Sequence, residues 1–252
     1  MEPILKVTDL SKSFSQAGKN EFFAVDHVSF AVMPGEILGI VGESGSGKST
    51  IAKLITRQID ATAGQIELAG QDITKLKGRS LIPVYAKIQM VFQAPTGSFD
   101  PRRTLGDGIC ESLRNKGVPK AEREEKARRL LEQCGLSGDF LERYPHQVSG
   151  GQCQRAAIAR ALMCDPQVLI FDEATSALDV TVQKQIIDLL QQLQEEKKLA
   201  YLFICHNLAL VQQFCDKIIV LYDGKIVESG LPDEVILHPQ SKYAKRLVDA
   251  IF

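Results

Sequence analysis

Nine consecutive residues, 42–50 (GESGSGKST), carry the clearest chemistry in this chain. An apolar run over 37–41 (ILGIV) breaks into Gly42, Gly45 and Gly47. Lys48, Ser49 and Thr50 follow, and Ile51, Ala52, Leu54 and Ile55 then resume at helical spacing. This is G-x-x-x-x-G-K-[ST] with a strand before it and a helix after it. Glycines let successive backbone N–H groups turn inward around an anion. The helix start adds unsatisfied donors and the positive end of its dipole. Lys48 is expected to reach the β- and γ-phosphates and the Ser49 hydroxyl to ligate Mg²⁺, with Gly42, Ser44, Gly45, Gly47 and Thr50 completing the cradle. The pattern predicts binding of a nucleoside triphosphate.

Three further apolar runs end in a polar group: Gln93 after 88–92 (IQMVF), Asp172-Glu173 after 168–171 (VLIF), and His206 after 200–205 (AYLFIC). In a parallel α/β sheet, ligands bind at the carboxyl ends of strands, so these groups are expected to converge on one triphosphate. Asp172 is the expected Mg²⁺ carboxylate, acting through the ion's hydration shell. Glu173 beside it can polarise a water for in-line attack on the γ-phosphorus. Gln93 can sense Mg²⁺ and that water, and His206 can contact the γ-phosphate or the water. Each strand end alone is weak evidence, since a lone buried His is usually structural; their order after the phosphate loop gives them weight. Residues 148–152 (VSGGQ), where Ser149 and two glycines open a helix rich in small residues, read as a second anion site, although an N-cap with a glycine turn would be favoured if nothing else matched. Phe14, before a polar stretch, could stack on a purine or belong to the core.

The elements that must position these groups alternate between strand and helix. Residues 4–8 and 22–32 read as strands joined by a polar loop over 15–20, and 64–70 as a short strand bounded by glycines. Beyond Gln93 helical patterns dominate to about residue 164: Ala127, Leu130, Leu131 and Cys134 fall on one face, with Pro119 in the first turn and acidic residues preceding basic ones. The α/β rhythm returns with a helix over 181–198, a hairpin around Asp223-Gly224, and one or two short helices after Pro232.

Bulk properties narrow the function classes. The 252 residues suffice for one large α/β domain, and the net charge of −1 gives no global reason to expect nucleic acid. No apolar run approaches the ~18 residues that span a bilayer, so any membrane role is expected to be peripheral. The six cysteines show no C-x-x-C pair, which predicts reduced, buried thiols in a cytosolic protein with no structural metal.

GESGSGKST, Gln93, VSGGQ, VLIFDE, 176–179 (SALD) and His206, in this order, resemble the nucleotide-binding subunit of an ATP-binding cassette (ABC) transporter. The likeness covers nearly the whole chain. It implies a P-loop NTPase (RecA-like) α/β core, with an antiparallel β subdomain and an inserted α-helical subdomain carrying the signature motif. The expected division is a core over 1–93 and 165–230, a helical subdomain over 94–164 and a short helical tail over 231–252. The resemblance also implies a head-to-tail pair of ATPase subunits, alike or different. In such a pair Ser149, Gly151 and Gln152 act on the ATP held by the other subunit, and Asp179 sits at the seam. Phe14 matches the aromatic that stacks on adenine.

Finer features, GESGSGKS, 98–107 (SFDPRRTLGD), SALDVTVQ and the tail pattern around HPQSKYAKRLVDAI, are similar to ATPases of oligopeptide, dipeptide and nickel importers. The tail departs from the HPxHPYTxxLL pattern of that group at Gln240, Ser241 and Lys242. The sequence also stops soon after, without the long cysteine-bearing extension of many peptide-importer members, so the expectation is a short member, such as those serving nickel or metallophore import. Val148, Cys153, Ala174 and Asn207 depart mildly from the family motifs and remove no chemical group from the site. The implied partners are two permease subunits, touched by residues of roughly 94–110, and an extracytoplasmic solute-binding protein. The implied location is the cytoplasmic face of the membrane. The alternative is a cassette ATPase of a non-transport complex, such as one degrading phosphonates; a non-catalytic regulatory cassette is disfavoured because Lys48, Asp172, Glu173 and His206 are all present.

Overall fold

A computed structural model describes residues 2–15, 22–93, 96–176 and 178–250. Along the chain lie strands β1 (Leu5–Phe14), β2 (Phe22–Val32) and β3 (Ile37–Val41), helix α1 (Lys48–Ile55), and strands β4 (Ala63–Leu68) and β5 (Gln71–Asp72). Helix α2 (Ile82–Lys87) leads into β6 (Ile88–Phe92), and helices α3 (Leu105–Ile109), α4 (Glu111–Asn115), α5 (Lys120–Gln133) and α6 (Gly150–Leu162) follow. Then come β7 (Val168–Asp172), α7 (Val180–Lys197), β8 (Ala200–Ile204), α8 (Leu208–Phe214), the hairpin β9 (Lys217–Tyr222) and β10 (Lys225–Gly230), and helices α9 (Pro232–Leu237) and α10 (Lys242–Asp249).

Two sheets result. The larger has the order β10-β9-β3-β8-β7-β6, parallel throughout except for β10. The smaller, β2-β1-β4-β5, is antiparallel. Side-chain alternation sorts the core of the parallel sheet into two layers. Leu38, Ile40, Ile170, Leu202, Ile204 and Leu221 pack toward α1 and the antiparallel sheet. Ile37, Val41, Phe171, Tyr201, Phe203 and Val220 pack toward the helices on the opposite face. Both faces are covered, which is why these strands read as unbroken apolar runs.

The antiparallel sheet departs from the expectation. β1 continues six residues past Thr8, because Asp9 (φ 50°) opens a bulge after which Leu10 and Ser11 are both buried. The bulge breaks the period-two pattern that marks a strand in sequence. Side-chain oxygens fill in for the disturbed ladder: the Asp9 amide donates to Ser29 Oγ at 2.8 Å and the His27 amide to Ser11 Oγ at 3.0 Å. Except for Ser15, the polar loop expected over 15–20 lies outside the described residues. β5 and α2 are too short to have shown a period. Pro119 forms the N-cap of α5 rather than its first turn. The turn Asp223-Gly224 has φ of 47° and 76°, the type I′ geometry that a two-residue hairpin favours.

All six cysteines are free and five are buried. Burial pushes the Cys134 thiol up to about 12 and those of Cys153 and Cys205 to about 11, as expected for packing residues.

Candidate functional site

The phosphate loop is held by close backbone approaches that only glycine allows. A Cβ on Gly42 would stand 2.2 Å from the Leu221 carbonyl oxygen, and one on Gly47 (φ 107°) 2.2 Å from that of Ala24. The hairpin turn braces the loop further: the Gly224 amide donates to the Ser46 carbonyl at 3.1 Å, and the Asp26 amide to the Gly224 carbonyl at 2.8 Å. α1 begins on Gly47, which has no side-chain oxygen to cap it, so no N-cap side chain satisfies the first N–H groups of the helix.

Lys48 is buried, and its Nζ donates to the Gly42 carbonyl at 2.8 Å and the Glu43 carbonyl at 2.7 Å. Burial lowers its pKa, and the nearby Glu173 and Asp172 carboxylates act in the opposite sense. The Ser49 hydroxyl donates to Asp172 Oδ1 at 2.9 Å. Burial pushes the Asp172 carboxyl up, against the Ser49 hydrogen bond.

Sheet register aligns the polar strand ends. Phe92 pairs with Asp172, Asp172 with Ile204, and Ile204 with Ile40, so residues far apart in sequence end their strands side by side. Glu173 turns out of β7 at φ 50° while its amide donates to the Ile204 carbonyl at 3.0 Å. The Ser176 hydroxyl donates to the Glu173 carbonyl at 2.9 Å and accepts from Gln93 Nε2 at 3.1 Å, tying Gln93 to the Glu173 backbone. Phe14, Ser44, Gly45, Gly47, Lys48, Ser49, Thr50 and Glu173 line one cleft. Gln93 and His206 are not in that lining; His206 is exposed just past β8.

Two residues of the cleft region were not legible as such. Phe22 lies opposite Phe14 in the strand register, lines the same cleft and is 53% exposed beside 44% for Phe14. The signal was the pairing of aromatics across the hairpin, visible only once the register is known. Ser176 stood in the SALD stretch, but its link to Gln93 spans 83 residues.

The second glycine-rich helix start lies elsewhere. Ser149 Oγ accepts from the Gln152 amide at 3.3 Å and Gln152 Oε1 from the Ser149 amide at 3.0 Å, a reciprocal capping box at the start of α6. A Cβ on Gly151 would meet Val182 Cγ1 at 2.6 Å, so the bare glycine lets α7 approach. Asp179 caps α7 there, its Oδ1 accepting from the Val182 amide at 2.9 Å. Ser149, Gly151, Gln152 and Asp179 thus gather around Val182, and none of them is in the lining of the Lys48 cleft. Of the mild departures, Val148 packs against the core, Cys153 and Ala174 are buried, and Asn207 keeps a capping oxygen for α8.

Residues 25–176 match the family model described as ABC transporter. The chain is 45% identical over 250 residues to the oligopeptide transport ATP-binding protein OppF of Streptococcus mutans, covering 98% of this chain and 81% of that one. To OppF of Salmonella typhimurium it is 42% identical over 259 residues, covering 98% and 77%. Among solved structures it resembles the dimeric post-hydrolysis state of the ATP-binding cassette MJ0796 bound to ADP and Pi, with a TM-score of 0.82, 29% identity, and 90% and 98% of the two chains covered. The chain belongs to the ABC transporter family, as one of its ATP-hydrolysing cassettes.

Proposed function

We propose that this cassette powers import of peptides through a membrane permease, and that it does so with the residues gathered at the strand ends. One observation carries the chemical part: Lys48, Ser49 and Glu173 line a single cleft, with Asp172 bonded to Ser49. In it Phe14 stacks on adenine, the amides of residues 42–50 cradle the phosphates, and Lys48 exchanges its two carbonyl partners for β- and γ-phosphate oxygens. Glu173 accepts the proton of the attacking water, which Gln93 and His206 help to orient.

The Ser49 hydroxyl and Asp172 carboxylate, 2.9 Å apart, are hard oxygen donors of the kind Mg²⁺ takes alongside substrate phosphates and water. They would hold the ion, which when bound neutralises charge developing on the phosphate oxygens.

The surface of Ser149, Gly151, Gln152 and Asp179 acts in trans on the ATP of a second cassette. Its capping box, with Ser149 exposed and none of its residues in the lining of its own cleft, supports this reading. Residues 1–93 and 165–230 form the nucleotide core, 94–164 the signature-bearing unit and 231–252 a tail. The permease touches residues of roughly 94–110 at the cytoplasmic face of the membrane, and a solute-binding protein delivers cargo from the other side. Among the described residues no helix is long and apolar enough to cross a membrane, which fits attachment through the permease. The OppF names favour peptide over nickel or metal chelate, and transport over a non-transport complex.

Mixing Lys48→Ala with Ser149→Ala tests the composite site. Each variant alone should be inactive. In trans, a mixed dimer holds one intact site and recovers ATP hydrolysis; in cis, the mixture stays as inactive as its components. Copurification with integral membrane permeases rather than soluble enzymes tests the transport role.

A further inference from the structure

The C-terminal helix is fastened to the phosphate loop. Glu228 on β10 accepts the Gln240 amide on Oε1 and the Ser241 amide on Oε2, both at 2.8 Å, fixing the start of α10. Burial pushes the Glu228 carboxyl up, but these amides outweigh it and hold it below the ordinary carboxylate range. Ser241 caps the helix, accepting from the Ala244 amide at 3.0 Å. Within its first turn, the Tyr243 ring lies 4.2 Å from that of Tyr222 on β9, and Tyr243 is 7% exposed. Its hydroxyl accepts the Glu43 amide at 2.9 Å, across 200 residues of sequence.

That amide belongs to the first peptide of the loop, whose carbonyl, on Gly42, is the one Lys48 Nζ holds at 2.8 Å. A single peptide unit is thus gripped at both ends, by Tyr243 at its N–H and by Lys48 at its C=O. If Lys48 turns to the phosphates of a nucleotide, as the proposed function requires, Tyr243 is left as the side chain that fixes this peptide. A loop whose first peptide can rotate spends part of its time in orientations that do not cradle phosphate, and apparent affinity falls by the fraction that remains competent.

We propose that Tyr243 is a positioning residue of the nucleotide site, and that docking of α10 through its hydroxyl sets the affinity of the loop for ATP. The inference rests on the reading of the cleft as the ATP site. In the full chain, Tyr243→Phe keeps the ring and its contact with Tyr222 and removes only the hydroxyl that accepts the Glu43 amide. Tyr222→Phe removes a hydroxyl from the other ring of the same pair and serves as the control.

Hydrogen exchange at the Glu43 amide without nucleotide, and equilibrium binding of ATP, are the readouts. Tyr243→Phe should speed that exchange and weaken ATP binding and KM about three- to tenfold, the span of one neutral hydrogen bond, with kcat at saturating ATP within about twofold. Tyr222→Phe should match the parent. Glu228→Gln, which loosens the tail anchor away from the cleft, should weaken ATP binding in the same direction. Parental ATP affinity in folded Tyr243→Phe, or an equal loss in Tyr222→Phe, would overturn the proposal. A parental chain that binds no ATP would overturn the cleft reading and this inference with it.

Discussion

Gly47→Ala is the sharpest probe of how the phosphate loop is held. The added methyl meets two penalties. At φ 107° an L side chain is strained by about 1–3 kcal/mol. Its Cβ would also stand 2.2 Å from the Ala24 carbonyl oxygen, a backbone atom of β2 that cannot swing aside as a side chain would. Relief of that overlap by movement of loop or strand costs about another 1–3 kcal/mol. The sum centres near about 4 kcal/mol, which in a chain of this size lowers Tm by about 8–16 °C. If the loop is what yields, its amides move off the phosphates, and losing one hydrogen bond to a charged phosphate weakens ATP binding by about 10–10²-fold. Gly70→Ala is the control: φ is 74°, but nothing stands within 4 Å of the added carbon. It carries the conformational penalty alone, about 1–2 kcal/mol, and should bind ATP as the parent does. Thermal unfolding followed by circular dichroism, with ATP titration below both transitions, measures the pair. Gly47→Ala melting together with Gly70→Ala and binding ATP within twofold of the parent would refute the argument from the Ala24 carbonyl.

Glu173→Gln preserves shape at the end of β7 and removes the proton acceptor; hydrolysis should fall by about 10²–10⁴-fold while ATP binding persists. A variant turning over at the parental rate would exclude Glu173 as the base. Chelation of Mg²⁺ with EDTA should stop steady-state hydrolysis and re-addition restore it, with Ser49→Ala needing more Mg²⁺ for half-maximal rate; indifference to EDTA would rule out the assignment of Ser49 and Asp172. Thiol titration of the native protein at pH 8 should leave Cys134, Cys153 and Cys205 unmodified, because burial holds them at about 12, 11 and 11, and should reach all six after unfolding. Rapid native labelling at Cys153, inside α6, would show that the helix opens more readily than its packing implies.

Local chemistry was open to reading from sequence. Residues 42–50 predict an anion cradle from sequence because the glycines, lysine and serine it would use are neighbours along the chain. β7 and β8 are continuous apolar runs because both faces of the parallel sheet are covered, and α7 shows its buried Ile186, Leu189, Leu190 and Leu193 at helical spacing. Where local pattern was interrupted, reading failed: β1 stopped short at the Asp9 bulge, and β5 and α2 are shorter than any period. Which strand ends meet is a different matter. Phe92, Asp172, Ile204 and Ile40 are set side by side by the sheet order, which depends on burial of both layers at once. The same holds for Phe22 opposite Phe14 and for Tyr243 on Glu43: each contact depends on packing between separate elements, and no property of either residue alone encodes it. The sequence by itself thus determined the chemical groups and their family, because those are properties of short stretches. Only the tertiary structure decided which groups share a cleft, which are absent from its lining, and that Tyr243 of α10 meets the Glu43 amide of residues 42–50, because each of these depends on packing between elements far apart in sequence.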